Sequence, residues 1–177
     1  ENAPPLPAKY GEMIRRVAGH LNCQIVLEPG RLISANAGVL VSSVVYLKRS
    51  GNRTFVILDS AMNDLLRPAL YDAYHRILPV KEPDPNAPRS PMDVVGPVCE
   101  TGDTFAQDRL LPPLEQGDLV VFSSAGAYGA VMASTYNGRP LIPEVLVSDS
   151  RHAVVRRRPS LDEMLAAEEI PDWLIAR

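Results

Sequence analysis

The sequence predicts a mainly β protein: a β-sandwich or barrel domain from about residue 37 onward, preceded by a helix–strand remnant of an α/β unit. Three observations carry that reading. Short β-branched runs recur between turn residues after Gly38, one amphipathic helix and one apolar run precede them, and 46% of the 177 residues are hydrophobic, enough for a real core. The expected division is 1–36 and 37–177.

Residues 1–7, with three prolines, read as an extended linker. Tyr10, Met13, Ile14, Val17 and Leu21 then recur at helical spacing, so a helix is expected over 8–21. Gln24-Ile25-Val26-Leu27 stops at Pro29-Gly30 and reads as a buried strand. Val39–Leu47 and Thr54–Leu58 flank Ser50-Gly51-Asn52, the pattern of a hairpin. One helical turn is expected within 64–74, a strand over 75–80 and a proline-rich loop over 81–91. Further strands are expected at 92–99, 118–124, 142–147 and 152–157. Ser160-Leu161-Asp162-Glu163 offers an N-cap with a carboxylate three residues on, predicting a helix over 160–169. A lone helix–strand unit has no sheet neighbours, so the chain is expected to begin inside a larger protein.

A net charge of -3 and a pI near 5.6 argue against nucleic acid or an anionic membrane as a partner. The longest apolar stretches, such as Ala37–Leu47, are well short of the roughly 20 residues of a spanning helix. Cys23 and Cys99 cannot make a disulfide framework, and no basic, apolar leader opens the chain, so a reducing cytoplasm is the expected setting. The three histidines are scattered and offer no metal-ligand spacing. Lysine is scarce: Lys9, Lys48 and Lys81 are the only three among 18 basic residues.

Four segments hold residues suited to chemistry. Glu28-Pro29-Gly30-Arg31 follows the expected strand at its carboxyl end, where α/β folds bind ligands; taken alone it is more simply a turn with two solvated charges. Arg67 and Tyr71, four apart, share a face of a helical turn and could grip a carboxylate, although surface arginine and core tyrosine are each common. Cys99-Glu100 sets a thiol beside a carboxylate, a pairing suited to proton transfer; a buried, inert cysteine is the plainer meaning. Tyr128 stands in a loop of small residues, Gly126-Ala127-Tyr128-Gly129-Ala130, either approaching a ligand or making a tight turn. Arg156-Arg157-Arg158 reads as a solvated basic run.

In order, Glu28-Pro29-Gly30-Arg31, Met62 to Tyr71 (Met-Asn-Asp-Leu-Leu-Arg-Pro-Ala-Leu-Tyr), Gly96 to Asp103 (Gly-Pro-Val-Cys-Glu-Thr-Gly-Asp) and Gly126-Ala127-Tyr128 resemble the C-terminal part of the diaminopimelate decarboxylases. These are pyridoxal-phosphate enzymes of alanine-racemase-like fold. Gly117-Asp118-Leu119-Val120-Val121 and Tyr136-Asn137-Gly138-Arg139-Pro140 look similar too, and the likeness weakens after about residue 150. Glu-Pro-Gly-Arg and Cys-Glu are shared with ornithine- and arginine-type relatives, whereas Arg-Pro-Ala-Leu-Tyr points to diaminopimelate.

The resemblance implies a β/α (TIM-like) barrel that holds pyridoxal phosphate and a β-domain that closes the site in a cytoplasmic homodimer. Residues 1–36 would be the end of the barrel. Glu28 would face the cofactor's ring nitrogen, with Pro29, Gly30 and Arg31 near its phosphate and Tyr128 touching cofactor and substrate. Arg31 would also reach the substrate, Arg67 and Tyr71 would hold its distal carboxylate, and Glu100 its distal ammonium. Cys99 would arrive from the second subunit as a proton donor. None of the three lysines matches the family's cofactor-bearing lysine, so the chain alone is expected to be inactive. The alternatives are a decarboxylase acting on another basic amino acid and a non-catalytic β-domain interaction module.

Overall fold

The computed structural model describes residues 6–175. Of the expected opening linker, residues 1–5 lie outside the described residues, and Pro7 already begins helix α1 (Pro7–Ala18). Proline suits that first turn because its missing N–H would have no helical partner. The helix stops at Ala18, three residues short of expectation, where the Gly19 N–H closes on the Arg15 carbonyl at 2.9 Å.

The strand expected at Gln24–Leu27 does not form. Those residues have no regular structure and are exposed, Val26 by 76%. A strand is held by ladder hydrogen bonds to a neighbour, and among the described residues none pairs here. A short helical turn, α2 (Arg31–Ser34), and a 3-10 turn at Ala35–Ala37 lead into the sheet.

The hairpin is present as β1 (Leu40–Ser50) and β2 (Arg53–Leu58), antiparallel, with Ser50 opposite Arg53. Gly51 opens its two-residue turn at φ 60°, the left-handed region that glycine enters freely. A single helical turn follows, α3 (Arg67–Tyr71), then β3 (Ile77–Pro79). The proline-rich loop separates β3 from β4 (Ser90–Val95), and β5 (Thr104–Leu111) and β6 (Leu119–Phe122) complete the sheet in the order β3-β6-β1-β2-β4-β5. All neighbours are antiparallel except β2 and β4.

The expected strand at 92–99 therefore ends at Val95, and β5 was not expected at all. A bulge interrupts its alternation. Asp108 takes a left-handed φ of 47°, and its N–H donates to the buried Asp93 carboxylate at 3.0 Å. Asp93 also accepts from Arg53 Nε at 2.7 Å, so the bulge is filled by charge rather than by apolar side chains.

The sheet curls until its edges meet. Arg109 of β5 donates to the carbonyl of His75, just before β3, at 2.9 Å, and its guanidinium lies 4.1 Å from the centre of the Tyr74 ring. Val44, Val56, Leu58, Val94, Leu111, Val120 and Phe122 fill the interior. Phe105 meets Phe122 across it, ring centroids 4.7 Å apart.

The chain ends in a separate hairpin, β7 (Glu144–Ser148) with β8 (Arg151–Arg156), and two short helices, α4 (Leu161–Leu165) and α5 (Asp172–Ile175). The Ser160–Glu163 capping box is formed in both directions, although α4 stops at Leu165 rather than residue 169. The arginine run is partnered in part: Arg156 meets Glu144 at 2.8 Å, and Arg157 forks onto Glu163. Among the described residues no helix is long and apolar enough to cross a membrane.

Candidate functional site

The lead-in is fastened to the sheet by backbone contacts that leave no room for side chains. The Gly126 N–H donates to Ala35 O at 3.0 Å and the Ala125 N–H to Gly38 O at 2.9 Å, while Ser124 Oγ donates to Asn36 Oδ1 at 2.6 Å. A β-carbon on Gly126 would stand 2.1 Å from Ser34 O, so glycine alone lets the two strands of chain approach. This clamp sets Glu28-Pro29-Gly30-Arg31 beside the loop that follows β6.

Three of the sequence-predicted residues converge there. Gly30 has φ 34°, and a β-carbon on it would lie 3.8 Å from the Tyr128 hydroxyl. Tyr128 itself holds a left-handed φ of 60°, a conformation that costs a bulky residue energy and is often found where a side chain must be aimed at a ligand. The Arg67 guanidinium sits 5.9 Å from the Tyr128 ring centroid, at the outer limit of cation–π attraction. Tyr71, one turn along α3 from Arg67, shares its face and is exposed. Glu28 and Arg31 are exposed in the same segment, and among the described residues neither makes a side-chain hydrogen bond or ion pair.

Cys99 and Glu100 lie on the loop between β4 and β5, both exposed; the plainer expectation of a buried thiol is corrected. The Gly102 N–H and then the Thr101 hydroxyl hold the Glu100 carboxyl below its ordinary range. Among the described residues the Glu100 side chain bonds only within its own loop, so neither residue joins the cluster around Tyr128.

The loop is nonetheless tied to the segment leading into α3. The buried carboxylate of Asp103 accepts the Val98 N–H at 2.8 Å through Oδ2 and the Met62 N–H at 2.7 Å through Oδ1. Beside it the buried Asp64 caps the Ala61 N–H at 2.9 Å, with Arg139 3.8 Å away. Arg139 also donates to the Asp59 carbonyl at 2.6 Å. Burial pushes both the Asp64 and Asp103 carboxyls above their ordinary range, partly offset by the N–H groups they accept. Asn63 and Ser134 exchange two further bonds, Nδ2 to Ser134 O at 3.1 Å and the Ser134 N–H to Asn63 O at 2.9 Å. Met62–Asp64 is thus a hub for three loops. Asp103, Asp64 and Arg139 are of ordinary type, and their signal in the sequence is the company of Gly-Asp, Asn-Asp and Asn-Gly-Arg-Pro, which favour turns.

The fold and this exposed grouping of arginine, tyrosine and glycine define a class: a curled sheet domain that presents ligand-suited side chains at its rim. Residues 20–126 match the family model described as pyridoxal-dependent decarboxylase, C-terminal sheet domain, and the chain belongs to that family. It is 52% identical over 171 residues to diaminopimelate decarboxylase of Zymomonas mobilis, covering 97% of this chain and 40% of that protein. The counterpart from Neisseria meningitidis serogroup A is 46% identical over 95% of this chain and 40% of its own length. The crystal structure of diaminopimelate decarboxylase from Helicobacter pylori complexed with L-lysine superposes with a TM-score of 0.83 at 42% identity, over 94% of this chain and 41% of that one. The chain therefore spans about 40% of the length of the curated relatives it matches.

Proposed function

We propose that this chain forms the sheet-domain part of a diaminopimelate decarboxylase, which converts meso-2,6-diaminopimelate to L-lysine and CO2. The observation that carries the reading is the convergence of Gly30, Tyr128 and Arg67 from three separate stretches of sequence. The H. pylori relative bound to L-lysine supports the choice of product.

The residues fit pyridoxal phosphate. Gly30 combines a left-handed backbone with a bare α-carbon next to a phenol, allowing close approach of a phosphate-bearing ring. In this reading Glu28 would hold the ring nitrogen, Pro29, Gly30 and Arg31 would hold the phosphate, and Tyr128 would touch both cofactor and substrate. When bound, pyridoxal phosphate supplies an electron sink for the charge left on the α-carbon as CO2 departs.

The chain's own residues do the rest. Arg31 assists in holding substrate. Arg67 offers a planar fork to the distal carboxylate, and Tyr71 adds a hydroxyl from the same helix face. Glu100, held ionised by its loop, meets the distal ammonium. Cys99, from the second subunit of a homodimer, returns a proton to the α-carbon. A substrate without the distal carboxylate leaves Arg67 unpaired, at a cost of roughly 1–3 kcal/mol. Lys9, Lys48 and Lys81 do not stand in the family's cofactor-bearing position, so the chain alone does not decarboxylate.

A substrate panel tests this. The intact enzyme containing this chain should prefer meso-diaminopimelate to ornithine and arginine, and Arg67→Ala should erode that preference at least about tenfold in kcat/KM. Preference for ornithine or arginine overturns the reading. So does CO2 release by the 177-residue chain incubated alone with pyridoxal phosphate and diaminopimelate.

A further inference from the structure

The loop of Cys99 and Glu100 and the segment leading to Arg67 and Tyr71 meet through one side chain. The Asp103 carboxylate is buried, and each of its oxygens takes a backbone N–H from a different loop: Oδ1 from Met62 at 2.7 Å, Oδ2 from Val98 at 2.8 Å. Its own backbone closes the connection, the Gly96 N–H donating to Asp103 O and the Asp103 N–H to Glu100 O at 2.9 and 3.0 Å. The site is shaped for that carboxylate, since a β-carbon on Gly96 would fall 2.2 Å from Asp103 Oδ2. Met62 is in turn five residues before Arg67, with Asp64 and Asn63 pinning the intervening turn.

We infer that Asp103 is a positioning residue for decarboxylation: through its two N–H contacts it fixes the loop that carries Cys99 and Glu100, and so where that loop presents them to the site they serve. The link between the loops is a property of this chain; its effect on turnover rests on the function proposed above. Only a carboxylate serves. An amide at this position would turn an NH2 group against one of the two N–H donors, freeing either Val98 or Met62. A displaced loop carries Glu100 and Cys99 with it while leaving Arg67 and Tyr128 in place.

Two variants test the link from opposite sides. Asp103→Asn removes an acceptor; Gly96→Ala keeps the carboxylate and pushes it out of its seat. With Cys23→Ser as background, alkylation of Cys99 by iodoacetamide should change at least threefold in both variants, and the Met62 and Val98 amides should lose hydrogen-exchange protection. In the intact enzyme kcat/KM for diaminopimelate should fall at least tenfold, with kcat and KM both affected, well below the melting temperature of either variant. Lowered melting temperature with unchanged kinetics and unchanged alkylation would show a purely structural residue and overturn the inference. Should either variant fail to fold, the wild-type amides decide: exchange of Met62 and Val98 as fast as that of exposed loop amides overturns it, and strong protection of both supports it. If the wild-type enzyme does not decarboxylate diaminopimelate, the proposed function falls, while the alkylation and exchange results still judge the link between the loops.

Discussion

The Tyr128 hydroxyl faces the α-carbon of Gly30, close enough that a β-carbon there would touch it at 3.8 Å. That distance is ordinary contact, so the requirement for glycine comes from the backbone, whose φ of 34° an L side chain resists. Gly30→Ala should cost about 1–2 kcal/mol of stability through that strain. Chemical denaturation measures it, and an unchanged midpoint would show that the turn relaxes.

Gly126 presents the opposite case, because its cost is steric. A methyl group 2.1 Å from Ser34 O and 2.7 Å from the Gly38 nitrogen must part the two segments. Gly126→Ala should destabilise by about 1–3 kcal/mol. It should also expose residues 28–37 to proteolysis, read as cleavage rate under native conditions.

For Cys99→Ala in the intact enzyme, the expectation is a loss in kcat or an altered product distribution, with KM kept within about twofold. Cys99 is exposed and, among the described residues, its side chain makes no hydrogen bond, so its removal should leave stability unchanged. Wild-type turnover and products would remove the thiol from the reaction.

Glu163 sets an acid limit on the C-terminal tail. The Arg157 fork, and next the Ser160 N–H, hold its carboxyl down to about 2 from 4.5. A depressed carboxyl stabilises the folded state above its ordinary value, and that contribution is lost as pH falls through about 2. An NMR titration of the Glu163 side chain should find that low midpoint, and Arg157→Ala should return it toward 4.5.

Asp64 and Asp103 run the other way. Burial raises both, so the stability they confer is full below the ordinary value of 3.8 and declines as pH rises through their raised values. Asp64→Asn should flatten the fall in urea midpoint between acid and neutral pH. A parallel curve for wild type and variant would contradict this.

Local pattern made much of the sheet legible. The β1–β2 hairpin announced itself because β-branched runs flank a turn glycine, and the capping box at Ser160 because both partners sit within one helical turn. The strand β5 was hidden because its bulge places Gln107, Asp108 and Arg109 together, breaking the alternation that marks a strand. Ile25, Val26 and Leu27 misled for a related reason: an apolar run says what a segment would bury, not whether a neighbour stands there to pair with it. Among the site residues, the convergence of Gly30, Arg67 and Tyr128 depends on the clamp at Gly126 and the left-handed backbone of Tyr128. Composition carries no trace of either. Asp103 is the sharpest example, a side chain of ordinary type whose importance comes from two N–H groups far apart in sequence.

The strand order has a consequence for how the molecule assembles. β1 is flanked by β2, its immediate successor, and by β6, which leaves synthesis long afterwards, while β2 must wait for β4 to cross over and lie parallel. Hairpins β1–β2 and β7–β8 close two-residue turns and β4–β5 closes over the loop 96–103, whereas the β1–β6, β2–β4 and β3–β6 seams bring distant segments together against chain entropy. Refolding from denaturant should accordingly be slow, with the β1–β2 hairpin acquiring structure well before Leu40 finds Phe122.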